Sequence, residues 1–187
     1  MFKAGLTLPL LPMIRELLAK LNLAPSQIKP NGWVLLISFN ILWPMVIELG
    51  MRPIVKKFLT FYMPGKFGHE WSFQEYYPGR PSKLISLCEK WHPGDHYEQG
   101  FFFVFGTDWE LFGKEEYFNT PPSIPLRWGA PRKSRFGTPS SLNYSEKDNT
   151  GKVAEWAELH LDKLCWDFLI SKENLEHYMG YPPSKWK

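Results

Sequence analysis

Between Trp33 and Ile47 the chain is apolar at every position except Ser38, Asn40 and Pro44. A helix with no polar face has two homes, a membrane or the centre of a core. About 15 helical residues reach only about 22 Å, against a hydrocarbon layer of about 30 Å. The length selects a buried core helix, and no membrane insertion is expected. Pro44 is expected to kink that helix, because an interior proline removes one backbone hydrogen bond and crowds the preceding turn.

The flanking segments supply what such a helix needs to be buried against. Leu10, Met13, Ile14, Leu17, Leu18 and Leu21 recur at spacings of three and four, which puts them on one helical face, with Arg15, Glu16 and Lys20 on the other side. Thr7 and Pro9 suit the entry to this helix. The polar stretch from Asn22 to Asn31, with prolines at 25 and 30, separates it from the central helix. Gly50 offers a left-handed stop, and Pro53 a new start for a third helix carrying Ile54, Val55, Phe58, Leu59, Phe61 and Tyr62.

From Pro64 the period changes from helical to alternating. Trp71, Phe73 and Glu75 alternate with Ser72, Gln74 and Tyr76, which reads as a strand, and Phe101 to Phe105 is a second strand candidate. Residues Thr120 to Asn149 hold Pro121, Pro122, Pro125, Pro131 and Pro139 among serines and basic residues, a loop composition. After Gly151 the helical period returns, with Val153, Trp156, Ala157, Leu161, Leu164, Cys165 and Phe168 as an apolar stripe. Ser171 suits the cap of a last short helix. The expected fold class is α+β, mainly α: an N-terminal three-helix core with a small antiparallel sheet over 1–113, a Pro/Ser/basic linker over 114–150, and a C-terminal helical segment over 151–187.

With 187 residues, 44% of them hydrophobic, the chain can close one real core or a core with a smaller appendage. A formal net charge of +3 makes any polyanion site local rather than global. The two cysteines, Cys88 and Cys165, lie far apart, and Arg15 and Glu16 interrupt what a signal peptide would keep apolar. Reduced thiols and an intracellular setting, cytoplasmic or nuclear, are expected.

Candidate chemistry is sparse. Cys88, His92 and His96 are spaced by fours, as zinc ligands on one helix face would be, but Pro93 and Gly94 interrupt the run and no metal site is expected. His69 and Glu70 lack the second histidine of a zinc protease motif, and no phosphate-binding or dinucleotide glycine loop and no nucleophile elbow occurs. Cys165, on the apolar stripe, reads as an inert buried thiol. Asp108 and Glu110 flank Trp109 and read as strand-end charges rather than catalytic carboxylates. No enzyme, cofactor or small-molecule substrate is expected. Arg127, Arg132, Lys133 and Arg135, interleaved with Trp128 and Phe136, form the one nucleic-acid candidate: the cations suit phosphates and the rings suit unpaired bases.

The stretch Leu8-Pro9-Leu10-Leu11-Pro12-Met13-Ile14-Arg15-Glu16-Leu17-Leu18, followed by Leu23-Ala24-Pro25-Ser26-Gln27-Ile28-Lys29-Pro30-Asn31-Gly32-Trp33, resembles the plant gypsy-type transposon domain. That domain stands near the start of retrotransposon-derived plant reading frames. Phe39, Leu42-Trp43, Phe58, Tyr62 and then Phe101 to Phe105 with Asp108-Trp109-Glu110 continue the resemblance, which covers roughly Gly5 to Leu111. The later Ile124-Pro125-Leu126-Arg127-Trp128-Gly129 is similar to such frames as well. The resemblance implies a Gag-like structural role with no catalytic residues to carry over. The chain has no zinc knuckle of the Cys-x2-Cys-x4-His-x4-Cys kind, no Asp-Thr/Ser-Gly and no Tyr-x-Asp-Asp. A non-enzymatic structural or assembly protein that self-associates is therefore expected, the alternative being an RNA- or single-stranded-DNA-binding module built on residues 127–136.

Overall fold

Pro12 opens the first helix, α1 (Pro12–Leu21), at a position where its missing N–H costs no hydrogen bond. Thr7 and Pro9, read as the helix entry, lie outside the described residues: the computed structural model describes 10–47, 51–75, 84–85, 124–125, 129–130 and 142–179. The face formed by Met13, Ile14, Leu17, Leu18 and Leu21 is buried as its spacing predicts, and so is Leu10 just ahead of it. Arg15, which the period places outward, is buried too. Asn22 ends α1 in the left-handed region, at φ 55°. Its N–H bonds the Ala19 carbonyl and the Leu23 N–H bonds that of Leu18, the paired closure of a Schellman end.

Pro30 opens α2 (Pro30–Val46), and every residue from Gly32 to Trp43 is buried. The helix runs through Pro44 for two further residues. Among the described residues no helix is long and apolar enough to cross a membrane. Instead α2 is surrounded by protein: it meets the hairpin and all three C-terminal helices, while α1 packs on α3 (Val55–Phe61). Phe39 sits at the centre of an aromatic cluster, with ring centroids 5.7 Å from Trp43, 5.3 Å from Phe58, 6.0 Å from Phe61 and 6.4 Å from Tyr62. The Phe58 contact is edge-on, the favoured geometry for aromatic pairs.

The chain leaves α3 directly into β1 (Tyr62–Phe67), which pairs antiparallel with β2 (Glu70–Glu75) so that Tyr62 faces Glu75 and Phe67 faces Glu70. Two residues make the turn. Gly68 has φ 67° and His69 does not share the positive φ, as a II′-type hairpin turn requires. Strand β2 is where the alternation of Trp71 and Phe73 puts it; β1 begins at Tyr62, which the sequence groups with the third helix. The hairpin docks through Lys29, whose N–H bonds the Trp71 carbonyl at 2.8 Å. Gly32 makes room for it: an added Cβ would lie 2.8 Å from the Ile28 Cγ2 and 3.4 Å from the Ser72 Cα. The second strand candidate, Phe101 to Phe105, lies outside the described residues.

The C-terminal helices are α4 (Tyr144–Leu159), α5 (Trp166–Leu169) and α6 (Lys172–Met179). The start of α4 falls inside the stretch read as linker. Asn143 accounts for this: its Oδ1 accepts from the Glu146 N–H at 2.8 Å, and the Glu146 carboxylate accepts from the Asn143 N–H at 2.9 Å. This reciprocal capping box satisfies two N–H groups that a helix start otherwise leaves open. Ser171 accepts from the Asn174 N–H at 3.3 Å and caps α6 as expected. Val153, Ala157, Leu164, Leu169 and Leu175 join the same core as α1, α2 and α3. The fold is α+β and mainly α, with six α-helices and one two-stranded antiparallel sheet among the described residues.

Candidate functional site

Arg127, Trp128, Arg132, Lys133, Arg135 and Phe136 lie outside the described residues, but the backbone between them is placed at Gly129 and Ala130. Gly129 is held by Gln27, a residue only 3% exposed in the short turn between α1 and α2. The Gln27 Nε2 donates to the Gly129 carbonyl at 2.9 Å, and its Oε1 accepts from the Gly129 N–H at 3.0 Å. The same Oε1 accepts from the Ala24 N–H at 2.9 Å. The side-chain amide thus does for Gly129 what a neighbouring strand would do, satisfying both its backbone groups. Glycine is required there. A Cβ on residue 129 would collide with the Asn22 carbonyl oxygen and stand 2.6 Å from its Nδ2.

A second surface lies at the C-terminal end. The stripe expected over Val153 to Phe168 supposes one unbroken helix, but α4 stops at Leu159 and the angular period restarts. His160 marks the break, with its Nδ1 2.9 Å from the Trp156 carbonyl and its ring stacked on Trp156 at 4.2 Å between centroids. The restart turns Leu161 and Phe168 outward, corrected from core positions to exposures of 62% and 40%. Leu159 is 79% exposed and Tyr144, at the start of α4, 90%. Cys165 is corrected as well. It lies in extended backbone at the N-cap of α5 and is disulfide-bonded, so it is neither a reduced thiol nor a nucleophile.

Among the described residues acid–base chemistry finds little to work with. Among the described residues no group of three His, Cys, Asp or Glu side chains is placed to hold a metal ion. Cys88, His92, His96, Asp108 and Glu110 lie outside them. His69 is exposed at the hairpin tip, beside Glu70, whose carboxylate lies 3.7 Å from the Lys29 ammonium. Lys57, 8% exposed, sets its Nζ 4.5 Å from the centre of the Trp43 ring, a cation–π contact. Burial holds its amine below the ordinary lysine range, with Glu146 acting in the opposite direction. An amine against an indole face with a distant carboxylate is a structural arrangement rather than a nucleophile with its base.

Tyr62 is fully buried, and its hydroxyl has no hydrogen-bond partner among the described residues. Burial, and then Glu75, push its phenol well above the usual value of 10.0. The unfolded chain therefore releases this proton first, and the stability Tyr62 confers in neutral form falls as pH rises above that value. Tyr62→Phe is expected to stabilise the protein by about 1 kcal/mol at neutral pH by removing an unsatisfied buried hydroxyl. Urea titrations at pH 7 and pH 10.5 check both parts: the variant's advantage grows at the higher pH.

No family model, curated protein or solved structure matches the chain.

Proposed function

We propose that this chain is a non-enzymatic, retrotransposon-derived structural or assembly protein, Gag-like in role, that associates with copies of itself. The observation that carries the reading is the exposure of Leu159, Leu161 and Phe168 in a C-terminal segment whose Val153, Ala157, Leu164 and Leu169 are spent on the core. Large apolar side chains left in water favour association. Light scattering across a concentration series tests it. Mass above the monomer is expected at high concentration, and Leu159→Glu with Leu161→Glu is expected to return the protein to monomer. A wild-type protein that stays monomeric throughout contradicts the reading.

The second reading is an RNA- or single-stranded-DNA-binding module using Arg127, Trp128, Arg132, Lys133, Arg135 and Phe136, and the contact that favours it is the fastening of Gly129 to Gln27. Retention on single-stranded RNA before and after neutralising Arg132, Lys133 and Arg135 tests it. Four phosphate contacts correspond to a slope of log affinity against log salt of about −2.8, at roughly −0.7 per contact on a single strand. A cytoplasmic or nuclear setting belongs to both readings, and the Cys165 disulfide is opposed to it, since such bonds are rare in reducing compartments. Thiol titration of freshly isolated protein decides between them.

A further inference from the structure

Helix α4 carries a glycine that its own surroundings do not explain. Gly151 sits near the middle of the helix in ordinary helical backbone, where glycine is a poorer residue than alanine. An added Cβ would meet no atom within 4 Å among the described residues, so no close contact there calls for glycine. The core side of α4 is set by Thr150, Val153 and Ala157, all buried. At about 100° per residue, the opposite side runs through Tyr144, Gly151, Glu155 and Leu159, with Lys147 on its flank. Tyr144 and Leu159, at its two ends, are the most exposed large apolar side chains among the described residues.

This stripe is complementary to its own reverse. Lys147 stands four residues before Gly151 and Glu155 four after it, while Tyr144 stands seven before and Leu159 eight after. Two copies laid antiparallel with Gly151 at the crossing set each Lys147 against Glu155 of the other copy, and each Tyr144 beside the other Leu159. A two-fold arrangement makes every such contact twice. Neither charge is engaged within the chain: Lys147 and Glu155 have no ion pair among the described residues, whereas Lys152 and Asp148 join each other at 2.7 Å.

We infer that the outward side of α4 is the surface on which two copies of this chain associate, antiparallel across Gly151, with Lys147 and Glu155 paired reciprocally. The inference rests on the self-association reading above and gives it a geometry. The missing side chain at 151 marks the point where the two helix backbones come closest, since the distance between packed helices is set by the residues at the contact.

The test is sedimentation equilibrium of the full chain and of charge-reversed variants at low salt, where exposed charges are least screened. Lys147→Glu sets acid against acid twice and Glu155→Lys sets base against base twice, so each variant alone is expected to associate about tenfold more weakly than the wild type. An equimolar mixture of the two restores both ion pairs, and association is expected to return to the wild-type level as a mixed dimer. Loss of fold does not produce that recovery. Gly151→Met is the second variant: at concentrations where the protein is monomeric it is expected to melt higher than the wild type, as a better helix former, yet to associate about tenfold more weakly by holding the backbones apart. Association left unchanged by either reversal or by Gly151→Met, or not restored in the mixture, overturns this geometry and leaves self-association standing. A wild-type chain that is monomeric at every concentration overturns both.

Discussion

Phe39→Ala is expected to lower the free energy of unfolding by about 3–5 kcal/mol. Phe39 is completely buried, and its ring stands among Trp43, Phe58, Phe61 and Tyr62, so truncation leaves a void bordered by four other aromatic rings. Rings do not collapse into a gap as flexible chains do, because each has only two side-chain torsions and is already fixed by its other neighbours. The lost transfer energy and the residual cavity therefore add. A domain of this size is stable by about 5–15 kcal/mol, so one substitution removes a large part of the total. Urea denaturation is the measurement: the midpoint drops while the slope against denaturant is unchanged. A loss below about 1 kcal/mol would mean that the aromatic cluster is not packed as described.

Gly32→Val is the second large effect, with an expected loss of about 3 kcal/mol. The first carbon of the side chain already meets the Ile28 methyl at 2.8 Å and the Ser72 Cα at 3.4 Å. Ile28 is completely buried and bridges to Trp71, so it has no free direction in which to move. Valine adds two methyls at the same point, and the backbone of β2 has to lift from α2. The gain from a better helix former than glycine, a few tenths of a kcal/mol, does not offset this. The measurement is again urea denaturation, paired with amide exchange of Lys29, whose N–H bonds Trp71 across this contact. Faster Lys29 exchange out of proportion to the global loss locates the damage at the hairpin; equal change in all amides would place it elsewhere.

The two helices nearest the N-terminus were legible because their packing follows local period. The three-and-four spacing of Met13, Ile14, Leu17, Leu18 and Leu21 names a face, and a run from Trp33 to Trp43 with no polar face names a centre. Strand β1 was not legible, because Pro64 and Gly65 break its alternation and Tyr62 fits the apolar period of α3. Its partner supplies what the strand lacks: the pairing with β2 and the Gly68 turn hold it extended. The start of α4 carried a readable signal in Asn143 followed three residues later by Glu146, hidden in a stretch whose prolines and serines spoke for loop. The C-terminal stripe misplaced Leu161 and Phe168 because one helical break resets the angular position of everything after it. Gln27 was invisible as an anchor. Its partner stands 102 residues away and offers only backbone, so no local pattern encodes the contact.

The placing of the C-terminal helices on α2 matters most for the self-association proposed above, because it decides which apolar residues are used up in the core and which stay exposed. Native-state hydrogen exchange measures that placing directly. The N–H of Leu169 bonds the Cys165 carbonyl and that of Leu175 bonds the Ser171 carbonyl, and both side chains are buried in the core that surrounds α2. Those two amides and the amides of Leu36 to Trp43 are expected to exchange with one common free energy, equal to that of global unfolding. Exchange of Leu169 and Leu175 at a much lower free energy than α2 would show that the C-terminal helices open on their own, and would contradict the single shared core.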